Sequence, residues 1–372
     1  MRRVYLDANA TEPLRPEARA AVLAALELSG NPSSVHAEGR AARRCLEESR
    51  ERLAATLGVR PEAIVFTSGG TEANALAVAG LAASGRRVLV SATEHDCVRR
   101  AVAGAETVPV DGNGVVSLEA LGERLADDPR PALVCLMLAN NETGTVQPMT
   151  EVAALCRRFG ALLHIDAVQA PGRLPLAEAV AAADTLALSG HKAGGPKGAG
   201  ALVVQRTATP AALLRGGGQE RGLRAGTEPL PAIAGLAAAV EAAEAWCREG
   251  GAERLAALKA RLADGLAARV PAARLLCATV PTLPNTLALA LPGVAATTQV
   301  MALDLAGVAV SAGAACSSGK VAESHVLAAM GLGPLAGQTI RVSLPWTATE
   351  ADVDAFLDAY AAMAGRLARH AA

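Results

Sequence analysis

Seven short apolar runs within the first 205 residues constrain the fold more than any other feature. They fall at 63–67 (AIVFT), 87–91 (RVLVS), 107–110 (TVPV), 132–138 (ALVCLML), 161–166 (ALLHID), 185–189 (TLALS) and 201–205 (ALVVQ). Most are near-continuous rather than alternating, and helix-like sequence separates most of them. A strand apolar on both faces needs cover on both faces, the condition of a mostly parallel sheet sandwiched by helices. In such sheets ligands gather at the carboxyl ends of the strands, so the chemistry is sought there.

The chain of 372 residues suits one large domain and a smaller one. Ala37 to Gly58 carries helical spacing and ends on a glycine suited to a C-cap. A long helical stretch from about Pro231 to Ala268 leads out of the large domain. A smaller α/β unit follows, with strands at 285–291 and 338–344, a helix near 298–306 and a last helix to about Arg369. The expected division is 16–250 for the large domain, and 1–15 with 251–372 for the small one. Hydrophobic residues make up 51% of the chain but aromatics only 2%, so Ala, Leu and Val must build the core.

Several function classes are disfavoured. A net charge of −1 gives no electrostatic footprint for nucleic acid. The start MRRVYLDANA has no apolar segment after its arginines, and no run of about 18 uncharged apolar residues predicts a membrane span. The seven cysteines are dispersed, odd in number and without a CxxC pair, which points to reducing cytoplasm rather than to disulfides or structural zinc. His36, His164, His325 and His370 form no metal-ligand pattern, and His164 reads as structural.

Three stretches carry chemistry. In FTSGGTEAN (66–74) a strand ends, two glycines follow and Thr71 opens a helix, whose free N–H groups and positive dipole end suit a phosphate. An ordinary tight turn would read the same way. In HIDAVQA (164–170), Asp166 lies just past a strand, where a buried carboxylate needs a cationic partner. A protonated pyridine nitrogen would serve, as would a plain helix N-cap role. In LSGHK, Lys192 stands at the carboxyl end of a core strand, where partial burial favours a nucleophilic amine able to form a Schiff base. Together a phosphate cradle, an acid for a ring nitrogen and a lysine for an aldehyde are the requirements of pyridoxal phosphate (PLP).

With EHDCV, NNETG, GGGQERGLRAGTE, SAGAACSSGKVAESHVLAAMGL and RVSL added in order, the whole chain resembles the NifS/IscS-type cysteine desulfurases. These belong to the class V aminotransferase group of fold-type I PLP enzymes. The resemblance implies an α/β fold with a large, mostly parallel mixed sheet and a smaller α/β C-terminal domain. It implies that Lys192 holds PLP, Asp166 pairs with the ring nitrogen and Gln169 contacts the ring hydroxyl. Gly70, Thr71, Ser189 and His191 would bind the phosphate, and Thr227 would reach the phosphate of a partner subunit, making a homodimer. His95 would stack on the ring and assist proton transfers, Asn141 would sit near ring and substrate, and Arg341 would bind the substrate carboxylate with a bidentate fork. Cys316 would take the sulfur of L-cysteine as a persulfide, releasing L-alanine. The persulfide would pass to a sulfur-accepting scaffold or carrier protein for iron–sulfur cluster assembly, and the handover could include a transient cluster at Cys316.

Selenocysteine lyase, an aminotransferase of the same PLP family and a PLP-free sulfur carrier are the competing expectations. Ala8, Glu12 and Pro229 depart from the family pattern, the first two at what would be the substrate side of the pocket. The six cysteines other than Cys316 read as buried small hydrophobes. In SAGAACSSGK (311–320) the small residues leave few anchors, so the segment reads as an arm that carries Cys316 between pocket and partner.

Overall fold

A computed structural model describes residues 3–205, 208–313 and 323–371, with side chains to 367. Strand β1 (Val4–Tyr5) opens the chain. Seven strands then form the main sheet: β2 (Ile64–Thr67), β3 (Arg87–Ser91), β4 (Glu106–Val108), β5 (Ala132–Met137), β6 (Leu162–Asp166), β7 (Thr185–Ser189) and β8 (Gly200–Val204), in the order β2-β8-β7-β6-β5-β3-β4. β8 runs antiparallel to both neighbours and the other pairings are parallel. Every residue of β2, β3, β5 and β7 is buried, which is why these runs carry no polar alternation. The parallel arrangement sends the carboxyl ends of β3, β5, β6 and β7 to one edge.

A second, antiparallel sheet has the order β12-β13-β10-β9, from β9 (Arg274–Leu276), β10 (Thr286–Ala290), β12 (Ser311–Ala312) and β13 (Thr339–Ser343); β11 (Val308–Ala309) pairs with β1. Two apolar clusters reflect the two sheets. The larger ends at Val240, and the other joins Val4 and Leu6 to residues from Leu255 onward.

The helical stretch expected from Pro231 to Ala268 is two helices, Leu230–Arg248 and Gly251–Arg269. Gly250 takes φ 91°, and a Cβ on Gly251 would lie 2.1 Å from the Trp246 ring. The break therefore needs both glycines. The first of these helices is long and apolar enough to cross a membrane by length and composition, although Glu241 and Glu244 interrupt it and no uncharged run of about 18 residues occurs there. Its apolar surface is spent inside the protein, against helices Pro16–Leu26 and Ala37–Leu57.

Candidate active site

One cavity of about 280 Å³ lies at the carboxyl ends of the central strands and gathers ten of the twelve expected site residues: Gly70, Thr71, His95, Asn141, Asp166, Gln169, Ser189, His191, Lys192 and Arg341. A larger cleft of about 750 Å³, lined by Cys247 and Arg248 among others, holds no comparable set of groups.

The phosphate cradle forms where β2 ends. The helix begins at Gly70, one residue before the expected Thr71. A Cβ on Gly70 would stand 2.8 Å from Val168 Cγ2 and 3.3 Å from Ser189 Cβ. The glycine thus lets the helix start press against the ends of β6 and β7. Its N–H groups open beside Ser189 and His191. Burial, with Lys192 and Lys197 nearby, lowers the His191 pKa to about 4, so the ring is neutral and its Nδ1 lies 3.1 Å from Thr11 Oγ1.

Asp166, at the tip of β6, is buried, and burial raises its pKa while hydrogen bonds and the charges of His95 and Lys192 draw it back. Its carboxylate accepts from Asn74 Nδ2 at 2.8 Å and from Val168 N at 3.0 Å. Asn74 Oδ1 must then face His164 Nε2, 2.9 Å away, so that nitrogen carries the proton. His164 Nδ1 meets Thr185 Oγ1 at 2.9 Å, and burial lowers its pKa to about 4. His164 is a neutral strut that orients Asn74 and, through it, Asp166.

His95 caps the short helix Asp96–Arg99, its Nδ1 accepting from Cys97 N at 3.2 Å. In the neutral ring Nε2 therefore carries the proton. Cys97 corrects the reading of the minor cysteines as buried hydrophobes: it lines the cavity, with Sγ 3.0 Å from His95 Nδ1 and 3.3 Å from Asn74 Nδ2. Cys45 and Cys247 are also only partly buried. The helical offset that places both neighbours around Cys97 is visible only once the 95–99 turn is known.

Lys192 follows β7 in a 3₁₀ turn, and its Nζ donates to the Asn9 carbonyl at 2.5 Å. Asn9, missed in the sequence, is fully buried and donates from Nδ2 to the Asn141 carbonyl and to Thr286 Oγ1. It ties the chain start to both sheets around the lysine.

Arg341 differs from the expected open fork. Its Nη2 pairs with Asp7 at 2.7 Å and its Nη1 donates to the Asn141 carbonyl at 3.1 Å. Nε is buried, with no partner among the described residues. A buried donor left unpaired costs about 1–3 kcal/mol, and Arg341 keeps one donor that the described protein groups do not use.

Behind Asn141, Glu142 is buried and accepts from Ser324 Oγ at 2.6 Å. A Cβ on Gly313 would stand 2.8 Å from its Oε2. Burial raises its pKa to about 7, against the pull of Ser324, Arg341 and His95, while Asp96 adds to the rise. The folded protein thus holds this proton more tightly than the unfolded chain, and stability falls as pH rises from about 4.5 to about 7. Glu142→Gln removes that slope. Relative to the parent, the variant should gain about 2 kcal/mol between about pH 5 and about pH 8. Denaturant unfolding at the two pH values checks this, and parallel pH curves would refute it.

The remaining expectations lie elsewhere. Cys316 is outside the described residues. Thr227 is exposed on a separate surface beside Leu213 and Leu214. Ala8 and Glu12 are not on the cavity wall, so they do not shape the substrate edge directly; Glu12 is buried against Arg173 and Trp346. Pro229 stands at the N-cap of helix Leu230–Arg248.

PLP fits this donor set on two observations. The Gly70 cradle leaves room for a phosphate at a helix start, and the buried Asp166 carboxylate has neutral hydrogen-bond donors.

The aminotransferase class-V family model matches residues 4–356. A cysteine desulfurase of Cereibacter sphaeroides is 45% identical, the match covering 96% of this chain and 95% of the relative. An IscS-like cysteine desulfurase of Mycobacterium tuberculosis is 39% identical over 99% of this chain and 98% of its own. The crystal structure of a NifS-like protein from Rickettsia africae superposes with a TM-score of 0.89 at 32% identity, covering 97% of this chain and 99% of that one.

Proposed function

Because the chain belongs to the class-V aminotransferases, and within them is a PLP-dependent cysteine desulfurase, we propose that it takes sulfur from L-cysteine onto Cys316 and delivers it to iron–sulfur cluster assembly. The observation that carries this reading is the single cavity that joins Lys192, Asp166 and the Gly70–Thr71 helix start to Arg341.

When bound, PLP supplies an electron sink that loosens the substrate's Cα–H and Cβ–S bonds. The protein groups do the rest. Lys192 Nζ holds the cofactor and carries the α-proton. Asp166, oriented by Asn74 and His164, keeps the ring nitrogen protonated. Gly70, Thr71, Ser189 and His191 hold the phosphate. Gln169 meets the ring oxygen, His95 covers the ring and moves protons from Nε2, and Arg341 with Asn141 orients the substrate carboxylate. The Cys316 thiolate attacks the substrate sulfur; the Cβ–S bond breaks, and alanine leaves after protonation.

A homodimer completes the phosphate site through the partner's copy of Thr227. The exposure of Thr227, next to two half-exposed leucines, supports that role. The persulfide passes to an acceptor protein in the cytoplasm, in line with dispersed cysteines and no CxxC pair.

The direct test reconstitutes the purified protein with PLP and supplies L-cysteine, with L-selenocysteine in a parallel reaction. Alanine and protein-bound sulfane sulfur should form from L-cysteine at matching rates. Turnover confined to selenocysteine, or alanine without protein-bound sulfur, would overturn the reading.

A further inference from the structure

We propose that Arg173, backed by Glu12, is a positioning residue for the reaction: it fixes which end of the Gln169 amide faces the cofactor. The proposal rests on the reading that PLP occupies the cavity described above. Arg173 stands four residues after Gln169 in the turn that follows β6, and its side chain is 3% exposed. Its Nη1 donates to Gln169 Oε1 at 2.6 Å and to the Gln169 carbonyl at 3.2 Å.

A guanidinium has five donors, no acceptor and no accessible neutral form. Gln169 must therefore turn its oxygen to Arg173. Its Nε2 is left facing the cavity side, where it donates to the Asn9 carbonyl at 3.1 Å. An unrestrained amide can present either end to a ligand; this one can present only N–H. It thus recognises an acceptor, the deprotonated ring oxygen, and it disfavours a protonated hydroxyl that seeks an acceptor of its own.

Arg173 is in turn held in place. Its Nη2 donates to Glu12 Oε2 at 2.6 Å and to the Ala8 carbonyl at 3.4 Å. The other Glu12 oxygen accepts from Trp346 N at 2.7 Å. Glu12 and Arg173 are both buried, and removing one leaves the other uncompensated. Glu12, a departure from the family pattern, has this role: it anchors the arginine that sets Gln169, and it links the chain start and Trp346 to the cofactor's ring oxygen.

The test uses the PLP-loaded protein and follows its visible absorbance against pH. A donor to the ring oxygen favours the deprotonated form, so losing that donor moves the transition to higher pH. Gln169→Leu should shift the midpoint alkaline by about one pH unit, the worth of one hydrogen bond to a charged acceptor. Arg173→Met should shift it in the same direction by a similar amount, the double variant should shift no further, and Arg173→Lys should restore part of the change. An unmoved midpoint in Arg173→Met, with only a lower melting temperature, overturns the proposal, as does a shift that adds fully to that of Gln169→Leu. Should Arg173→Met fail to fold, Glu12→Gln carries the comparison: a smaller alkaline shift supports the proposal and an unmoved midpoint overturns it. A parent protein with no visible band after PLP loading overturns the functional reading, and this proposal with it. A normal parent band with an unmoved variant overturns this proposal alone.

Discussion

Lys192→Ala should fold normally, lose every trace of covalently bound PLP and lose cysteine desulfuration by at least about 10³-fold. The structural cost is small. Among the contacts described, the substitution removes the hydrogen bond from Nζ to the Asn9 carbonyl, worth about 1 kcal/mol. The buried strand β7 before it and the Gly190–Lys192 turn do not depend on the amine. The chemical cost is large, because in the proposed function the same nitrogen anchors the cofactor and moves the α-proton. General base catalysis alone contributes about 10²–10⁴-fold, and loss of the covalent anchor adds to that. Borohydride reduction followed by peptide mass analysis should find PLP on Lys192 in the parent and nowhere in the variant. Retained turnover, or a reduced adduct at another lysine, would sink the assignment of Lys192.

The contrast between Lys192 and Arg341 shows which parts of the site were legible in the sequence. Lys192, Asp166 and Gly70 each follow a run apolar on both faces, so strand ends could be placed and the chemistry sought beside them. Asn74 was within reach by the same logic: it lies one helical turn beyond Gly70, on the face that looks into the cavity. Partners distant in the chain were not legible. Asp7 occupies one arm of the Arg341 fork from 334 residues away. Glu12, read as a possible change to the substrate edge, instead meets Arg173 across 161 residues. The helix break at Gly250–Gly251 is similarly hidden, because it depends on where the Trp246 ring lies. Periodicity reports which face is covered; it does not report which charged group arrives to neutralise another.

Cys97 bears on the other large effect, because it puts a second thiol in a site whose chemistry needs one. Cys316→Ala should abolish protein-bound sulfane sulfur and slow alanine formation by at least about 10²-fold, while the PLP absorbance and affinity stay near those of the parent. The acceptor must attack the substrate sulfur as a thiolate, and an ordinary thiol of pKa about 8.5 is only a few per cent ionised at neutral pH. Cys97 sits on the cavity wall, but its sulfur is engaged with His95 Nδ1 and Asn74 Nδ2, the first part of the cap at 95–99 and the second a donor to Asp166. A sulfur drawn from there into a persulfide would disturb both. In the sequence Cys316 is flanked by small residues, Ala314, Ala315, Ser317 and Ser318. Alkylation and peptide mapping after one turnover distinguishes the two thiols. In the parent the extra sulfur should lie on Cys316, and in Cys97→Ala it should still lie there, even if turnover slows through a displaced His95. Sulfur mapped to Cys97, with Cys316→Ala still forming a persulfide at the parental rate, would transfer the acceptor role to Cys97 and make the 311–320 segment dispensable for desulfuration.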